Sequence, residues 1–103
     1  MSFRVERVIA AHHPALAGHF PGDPVVPGVV ILEEVLQAVR AWRGNVRLKA
    51  IHSVKFNAPL GPGDVFSIVL RESNRDEIVF ECRRSGSPLA SGTLAVESEP
   101  DGA

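Results

Sequence analysis

The fold is decided by residues 27–44, PGVVILEEVLQAVRAWRG. Pro27 and Gly28 stand before the apolar run and Gly44 stands after it, a punctuation typical of the two ends of a helix. The β-branched residues at its beginning would also suit a strand, but its length and its Leu-Gln-Ala sequence favour a helix. We therefore predict a helix over Val29–Trp42. Few polar residues interrupt it, so most of its surface is expected to be buried.

Alternating apolar residues predict strands on both sides of this helix. Phe3–Ala11 predicts a first strand, and the chain after Gly44 predicts four more that form a meander. Turn residues separate the later strands, as in GPGD (residues 61–64) and SGSP (residues 85–88). The inward-facing positions are predicted to be Val46, Leu48, Ala50, Val54, Phe56, Phe66, Ile68, Leu70, Ile78, Phe80 and Cys82. A helix that is apolar on nearly every side needs a sheet curled around it, so we predict an α+β hot-dog fold with about five antiparallel strands.

Length and composition limit the function classes. With 103 residues, the chain fits one domain, predicted over residues 1–97, followed by a flexible tail at residues 98–103. The net charge of −1 and the low aromatic content argue against nucleic-acid binding. Cys82 is the only cysteine, which favours a reducing compartment such as the cytoplasm. No apolar stretch is long enough to span a membrane.

The residues before the helix form a segment rich in proline and glycine that contains a histidine. His19 lies in the sequence GHFPGDP (residues 18–24), and a long ordered loop in so small a domain is usually functional. On the predicted helix, Glu33, Gln37 and Arg40 are spaced so that they share one stripe. Glu34 is the alternative carboxylate, but the stripe shared with Gln37 selects Glu33.

These motifs resemble the FabZ/FabA-type 3-hydroxyacyl-(acyl carrier protein) dehydratases, a hot-dog family. The resemblance covers residues 18–64 and includes GHFPGDP, PGV, ILE and Gln37, followed by VKFNAPLGPGD (residues 54–64). Glutamate at position 33 is similar to the FabZ type, whereas the FabA type carries aspartate. There is no tyrosine in the chain, so any gating tyrosine of the family is replaced.

The resemblance implies dehydration of a 3-hydroxyacyl chain carried by an acyl carrier protein. His19 would be the base, since a neutral imidazole suits that role. Glu33 would be the acid, which requires a protonated carboxyl, and the apolar neighbours expected around it favour that form. The Gly28 amide would hold the developing oxyanion, and Gln37 would orient the carboxyl. In this family the histidine and the carboxylate come from different subunits, so a dimer or a trimer of dimers is implied. A substrate tunnel lined by Phe20, Val29 and Phe56 is also implied, with no cofactor and no metal.

Other interpretations stay open at this point. Gly28 is also consistent with a tight entry turn, Gln37 with a core amide, and Phe20 and Phe56 with ordinary packing. The basic residues between positions 35 and 63 suit either a carrier docking patch or a solvated face; they are Arg40, Arg43, Arg47, Lys49 and Lys55. His12, His13 and His52 show no metal-binding spacing, and His52 is expected to be half-buried. A hot-dog thioesterase, in which Glu33 activates water, and a non-catalytic subunit of a heterodimeric dehydratase are the alternative functions.

Overall fold

The computed structural model describes residues 2–10 and 25–98, which form five strands and one helix. In chain order they are β1 (Ser2–Val8), α1 (Gly28–Arg43), β2 (Val46–Phe56), β3 (Val65–Asn74), β4 (Glu77–Arg84) and β5 (Ser87–Ser98). The predicted helix is confirmed to within one residue at each end. The strands form one antiparallel sheet in the order β1-β3-β4-β5-β2, which confirms the predicted α+β architecture. The predicted tail beyond Ser98 lies outside the described residues.

One face of α1 packs into the core, while the opposite face is open. Its buried residues are Val30, Ile31, Val35, Ala38 and Val39. Val29, Glu33, Gln37 and Arg40 are exposed, so the expectation of a helix buried on nearly every side is wrong for the single chain. These positions recur every three or four residues and therefore form one stripe, called here the open stripe. Its apolar member Val29 is 61% exposed, which leaves this face of the helix available to a partner.

The C-terminal end of α1 is fastened to the sheet. Gly44 adopts a φ of 80°, and its N–H donates to the Arg40 carbonyl at 2.9 Å, which ends the helix as predicted. Arg43 forms an ion pair with Glu72 at 3.2 Å. Trp42 stacks on Phe3 with 6.0 Å between ring centroids, which confirms that it is a packing residue. These contacts join the helix to β3 and β1.

The prediction of a four-strand meander is wrong for β2. Strands β3, β4 and β5 do form a meander, but β2 pairs with β5 at the opposite edge of the sheet from β1. Residues 57–64 make the crossing, because an extended chain covers about 3.3 Å per residue and neighbouring strands lie only about 4.8 Å apart. An alternating pattern identifies a strand but does not identify its neighbours, so the sequence left this pairing undetermined.

The connection at residues 57–64 is tied down at several points. The side chain of Leu60 is buried, and its carbonyl accepts from the Val26 N–H at 2.8 Å. The N–H of Gly63, a residue with a φ of 88°, donates to the Ile9 carbonyl at 2.8 Å. The Asp64 carboxylate accepts from the Gly61 N–H and from the Arg84 guanidinium, each at 3.0 Å. The predicted turn at Gly61–Asp64 is confirmed, and it holds one end of the sheet together.

Two register shifts in β2 change which side chains face α1. Leu48 pairs with Val96 and Ala50 with Ala95, so one extra residue is inserted there, and a second shift follows between His52 and Lys55. Between the shifts the alternation is inverted. Ile51, paired with the buried Leu94, therefore faces α1 in place of Ala50. His52 is exposed, which overturns its predicted half-buried position.

Cys82 lies in the centre of the core, as predicted, with no measurable exposure. Burial raises the pKa of its thiol to about 12, and the Glu81 carboxylate adds to the rise. We expect no reaction with a disulfide reagent at about pH 8 in the native protein and full reaction in denaturant, since the thiolate is the reactive form. Thiol release followed by absorbance checks this, and fast native reaction would contradict it. Because the unfolded thiol ionises at lower pH, Cys82 lowers stability as the pH rises above about 9.

Candidate functional site

Glu33 and Glu34 are adjacent in the sequence, but they lie on different sides of α1. Glu34 is partly buried and its carboxylate lies 3.6 Å from the Arg7 guanidinium on β1. Glu33 belongs to the open stripe and lines an apolar cleft between α1 and β2. The structure therefore separates a carboxylate with a structural partner from one that is open to a ligand, in agreement with the choice of Glu33 from the sequence.

The helix–strand cleft, as we call it, is apolar apart from Glu33. Its volume is about 180 Å³, and it is lined by Val29, Leu32, Glu33, Leu36, Leu48, Ile51 and Leu94. Leu94 is buried, whereas Ile51 is 41% exposed. Glu33 is itself exposed, so the apolar setting expected for it is present on one side only within the single chain. Full removal of this carboxyl from water requires something to cover the open stripe.

A second cleft, the N-terminal cleft, opens at the start of α1. It has a volume of about 440 Å³ and is lined by Val25, Val26, Gly28, Ile31 and Phe56–Leu60. The Phe56 ring lies against Gly28, since a Cβ added to Gly28 would lie 2.6 Å from the end of that ring. Phe56 is nevertheless 48% exposed. Glycine at position 28 thus permits a close approach that no other residue would allow without moving Phe56.

The start of α1 offers backbone donors next to Glu33. Pro27 is the N-cap residue and makes no side-chain cap, and no acidic residue lies in the first turn. The first N–H groups of a helix have no partner within the helix, and they attract negative charge. Gly28 and Glu33 are five residues apart, about 7.5 Å along the axis, and helical side chains lean toward the N-terminus. The Gly28 amide and the Glu33 carboxyl are therefore placed to act on one small group.

The remaining predicted site residues are brought together only in part. His19 and Phe20, with His12 and His13, lie outside the described residues. Val29 and Phe56 line two different clefts, which adjoin at the start of α1. Gln37 lies one turn after Glu33 on the open stripe, and the hydrogen bonds found in the described part of the chain do not join the two. The orienting role of Gln37 therefore stays a prediction.

The basic residues divide into two groups. Arg43 pairs with Glu72, and Arg47 pairs with Glu97 on the adjacent strand. Arg40, Lys49 and Lys55 are exposed, and no ion pair links them to a carboxylate within residues 2–10 and 25–98. The candidate docking patch is therefore smaller than the sequence indicated.

A family comparison decides how this site is classified. A model of ApeI-like proteins, described as ApeI dehydratase, matches residues 1–93. The chain belongs to the ApeI-like dehydratase family. ApeI-like membership agrees with the predicted resemblance, and curated relatives named 3-hydroxyacyl-[acyl-carrier-protein] dehydratase FabZ support it. The protein from Syntrophotalea carbinolica is 33% identical over 102 residues, with 88% of this chain and 67% of the relative covered. The Haemophilus ducreyi protein is 33% identical over 106 residues, covering 93% and 68%. This ApeI-like chain thus spans about two thirds of the length of these relatives.

Solved structures confirm the hot-dog fold of this ApeI-like chain. The dehydratase heterocomplex ApeI:P from Xenorhabdus doucetiae superposes with a TM-score of 0.82 at 20% identity, covering 92% of this chain and 86% of that one. The fluoroacetyl-CoA-specific thioesterase FlK superposes with a TM-score of 0.71 at 19% identity, covering 94% and 85%. At these identities the likeness concerns the fold. The described helix is too short or too polar to cross a membrane, and residues 2–10 and 25–98 contain no cluster of potential metal ligands.

The sequence did not reveal the walls of the helix–strand cleft. Ile51 was missed because a shift in strand register, invisible in an alternating pattern, turns it toward α1. Leu36 carried a usable signal, since it lies three residues after Glu33 and so occupies a neighbouring helix position. Leu48 and Leu94 were assigned only to the interior, because pairing of β2 with β5 was not foreseen.

Proposed function

We propose that this chain catalyses the reversible loss of water from a 3-hydroxyacyl thioester carried by an acyl carrier protein, giving the trans-2-enoyl thioester. The observation that carries the proposal is the position of Glu33. It lies at the rim of an apolar cleft, beside the start of α1, in a member of a dehydratase family. An apolar cleft with one ionisable group suits an acyl chain with one reacting polar centre.

The chemistry divides between two side chains and one backbone group. The His19 imidazole takes the proton from C2, and the electrons of that C–H bond form the C2–C3 double bond. The Glu33 carboxyl gives its proton to the hydroxyl that leaves C3, so water departs. Proton transfer from C2 places negative charge on the thioester carbonyl, which the Gly28 N–H stabilises. Gln37 orients the carboxyl, and Phe20, Val29 and Phe56 line the path of the substrate. The reaction needs no metal and no cofactor, because no electrons are exchanged with a second molecule.

A second hot-dog subunit completes the site in this proposal. The open stripe of α1 adjoins β2, which lies at a sheet edge with its hydrogen-bonding groups available. The exposed apolar residues Val29, Ile51 and Phe56 lie on these two elements. Pairing of β2 with the same strand of another subunit would make one ten-strand sheet, cover the stripe and remove Glu33 from water. His19 would then reach Glu33 across the interface, in a dimer or a trimer of dimers.

The acyl carrier protein is the proposed partner in the cytoplasm. Carrier proteins of this class are acidic, and Arg40, Lys49 and Lys55 present exposed positive charge on α1 and β2. The relatives named FabZ act, by their names, on acyl-carrier-protein substrates. Complementary charge of this kind guides the encounter and speeds association more than it raises final affinity.

Turnover by the wild-type protein tests the proposal. Purified protein is incubated with 3-hydroxyacyl chains and with 2-enoyl chains on a carrier protein. Interconversion is followed by mass spectrometry, and free thiol is measured in the same samples. We expect loss or gain of water with the thioester intact. Thiol release without dehydration would support the thioesterase alternative. Binding without either reaction would support a non-catalytic subunit, as in a heterodimeric dehydratase, and a partner chain would then be required for activity.

A further inference from the structure

We propose that Leu36 closes the far end of the helix–strand cleft and so limits the length of acyl chain that the protein accepts. This inference rests on the proposed function, since it assigns the cleft to the hydrocarbon part of that substrate. It differs from the tunnel expected from the sequence, which named Phe20, Val29 and Phe56.

The direction of the cleft follows from two contacts at the ends of β2. Phe56, the last residue of β2, lies against Gly28, the first residue of α1. Val46, the first residue of β2, follows α1 after only Gly44 and Asn45. Strand β2 therefore runs back along the helix, so its early residue Leu48 lies toward the C-terminal half of α1. The cleft starts at the reacting groups and extends away from them.

Leu36 occupies the end of this path. It lies about 12 Å along the axis from Gly28 and about 4.5 Å beyond Glu33. It is the cleft residue of α1 farthest from Gly28 in the chain, and it shares the lining with Leu48 of β2. Leu94 forms a buried floor between them. Leucine side chains on three sides leave no polar group to bind a headgroup, so the occupant is a hydrocarbon chain.

The size of the cleft indicates a short limit. Its volume is about 180 Å³, which equals about six groups of the size of a water molecule at ~30 Å³ each. A methylene group is of comparable size, so a few carbons beyond the reacting ones fill the space. Longer chains then meet Leu36. Each methylene that fits increases kcat/KM about fourfold, and a methylene beyond the stop brings no such gain.

Leu36 is also the wall residue that can be changed with least harm to the core. Leu32 and Leu48 pack against the buried core cluster, whereas Leu36 is half-buried and is absent from that cluster. Leu36→Ala removes three carbon atoms from the end of the cleft, and Leu36→Phe adds bulk there. Val79→Ala is the control, because Val79 is half-buried on β4 and does not line either cleft.

The test uses a series of even-numbered 3-hydroxyacyl chains on a carrier protein, with kcat/KM measured for each. We expect the break in the series to move to longer chains in Leu36→Ala and to shorter chains in Leu36→Phe, with Val79→Ala unchanged. In parallel, calorimetry measures the binding of unreactive saturated acyl-pantetheine thioethers of the same lengths to all four proteins. The two readouts separate this inference from the dehydratase proposal.

The outcomes are distinct. Matching shifts in turnover and binding support the inference. Shifts in binding without turnover by any protein also support it, while the dehydratase proposal then fails. Dehydration with one unmoved length profile in all four proteins overturns the assignment of Leu36. Binding that does not depend on chain length overturns it as well, because the cleft would then not hold the chain.

Discussion

Replacing Glu33 by glutamine is expected to lower kcat for dehydration by about 10²–10⁴-fold. Glutamine has nearly the same shape but cannot give a proton to the departing hydroxyl. Glu33 is exposed in the single chain and has no ion-pair partner within the described residues, so the substitution should leave the fold unchanged. Binding of the saturated thioethers should also persist, so the loss will fall on kcat rather than on KM. Steady-state kinetics of carrier-bound substrates check both expectations.

Glu34→Gln is the matched control for this prediction. The two residues are neighbours of the same type, but the Glu34 carboxylate faces Arg7 and not the cleft. We expect wild-type kcat and a small loss of stability, of the size of one exposed ion pair, about 0.2–1 kcal/mol. Retention of more than a tenth of wild-type kcat by Glu33→Gln would exclude Glu33 as the acid. Equal losses in both variants would point to a general effect on α1 instead.

Phe80→Ala is expected to have the largest effect on stability, about 3–5 kcal/mol. Phe80 has no exposed surface, and its ring packs so closely on Gly92 that a Cβ added there would lie 2.8 Å from it. Gly92 is also opposite the inverted segment of β2, and the Val54 backbone closes the site from that side. The surroundings therefore have little freedom to fill the space left by the ring. Urea unfolding at one fixed protein concentration measures the change, since association with a second subunit adds to apparent stability.

Phe56→Ala controls for the general cost of deleting an aromatic ring. Phe56 is 48% exposed and is not part of the buried core. We expect its removal to cost less than half as much as that of Phe80, because less apolar surface is lost from the interior. Similar losses for the two variants would show that the single chain underestimates the burial of Phe56. The second subunit would then be the source of that burial.

Much of the fold was predictable because its signals are local. Helix α1 was located from its apolar length and from the glycines at its ends, and Gly44 ends it as expected. The strands at residues 65–98 alternate so regularly that Ile68, Phe80 and Cys82 were assigned to the core and are all buried. The preference for Glu33 over Glu34 also followed from helix periodicity. In each case the neighbours along the chain determine the conformation or the facing direction.

The pairing of β2 was not predictable, because strand neighbours are selected by long-range contacts. The same limitation concealed the inverted segment around Ile51, and with it the wall of the cleft. Exposure of the open stripe was hidden for a related reason. An apolar helix indicates burial, but the sequence does not tell whether its own sheet or a second subunit provides the cover.

The amino-acid sequence by itself determined the helix, the strands, the core side chains and the carboxylate beside the start of α1. These depend on residue periodicity, on turn residues and on the backbone groups at a helix end, all of which act over a few positions. Only the tertiary structure decided that β2 lies at a free edge next to α1, so that a cleft opens between them with Glu33 at its rim. That arrangement results from packing between residues far apart in the chain, where the balance of buried area and strand geometry selects one pairing among several.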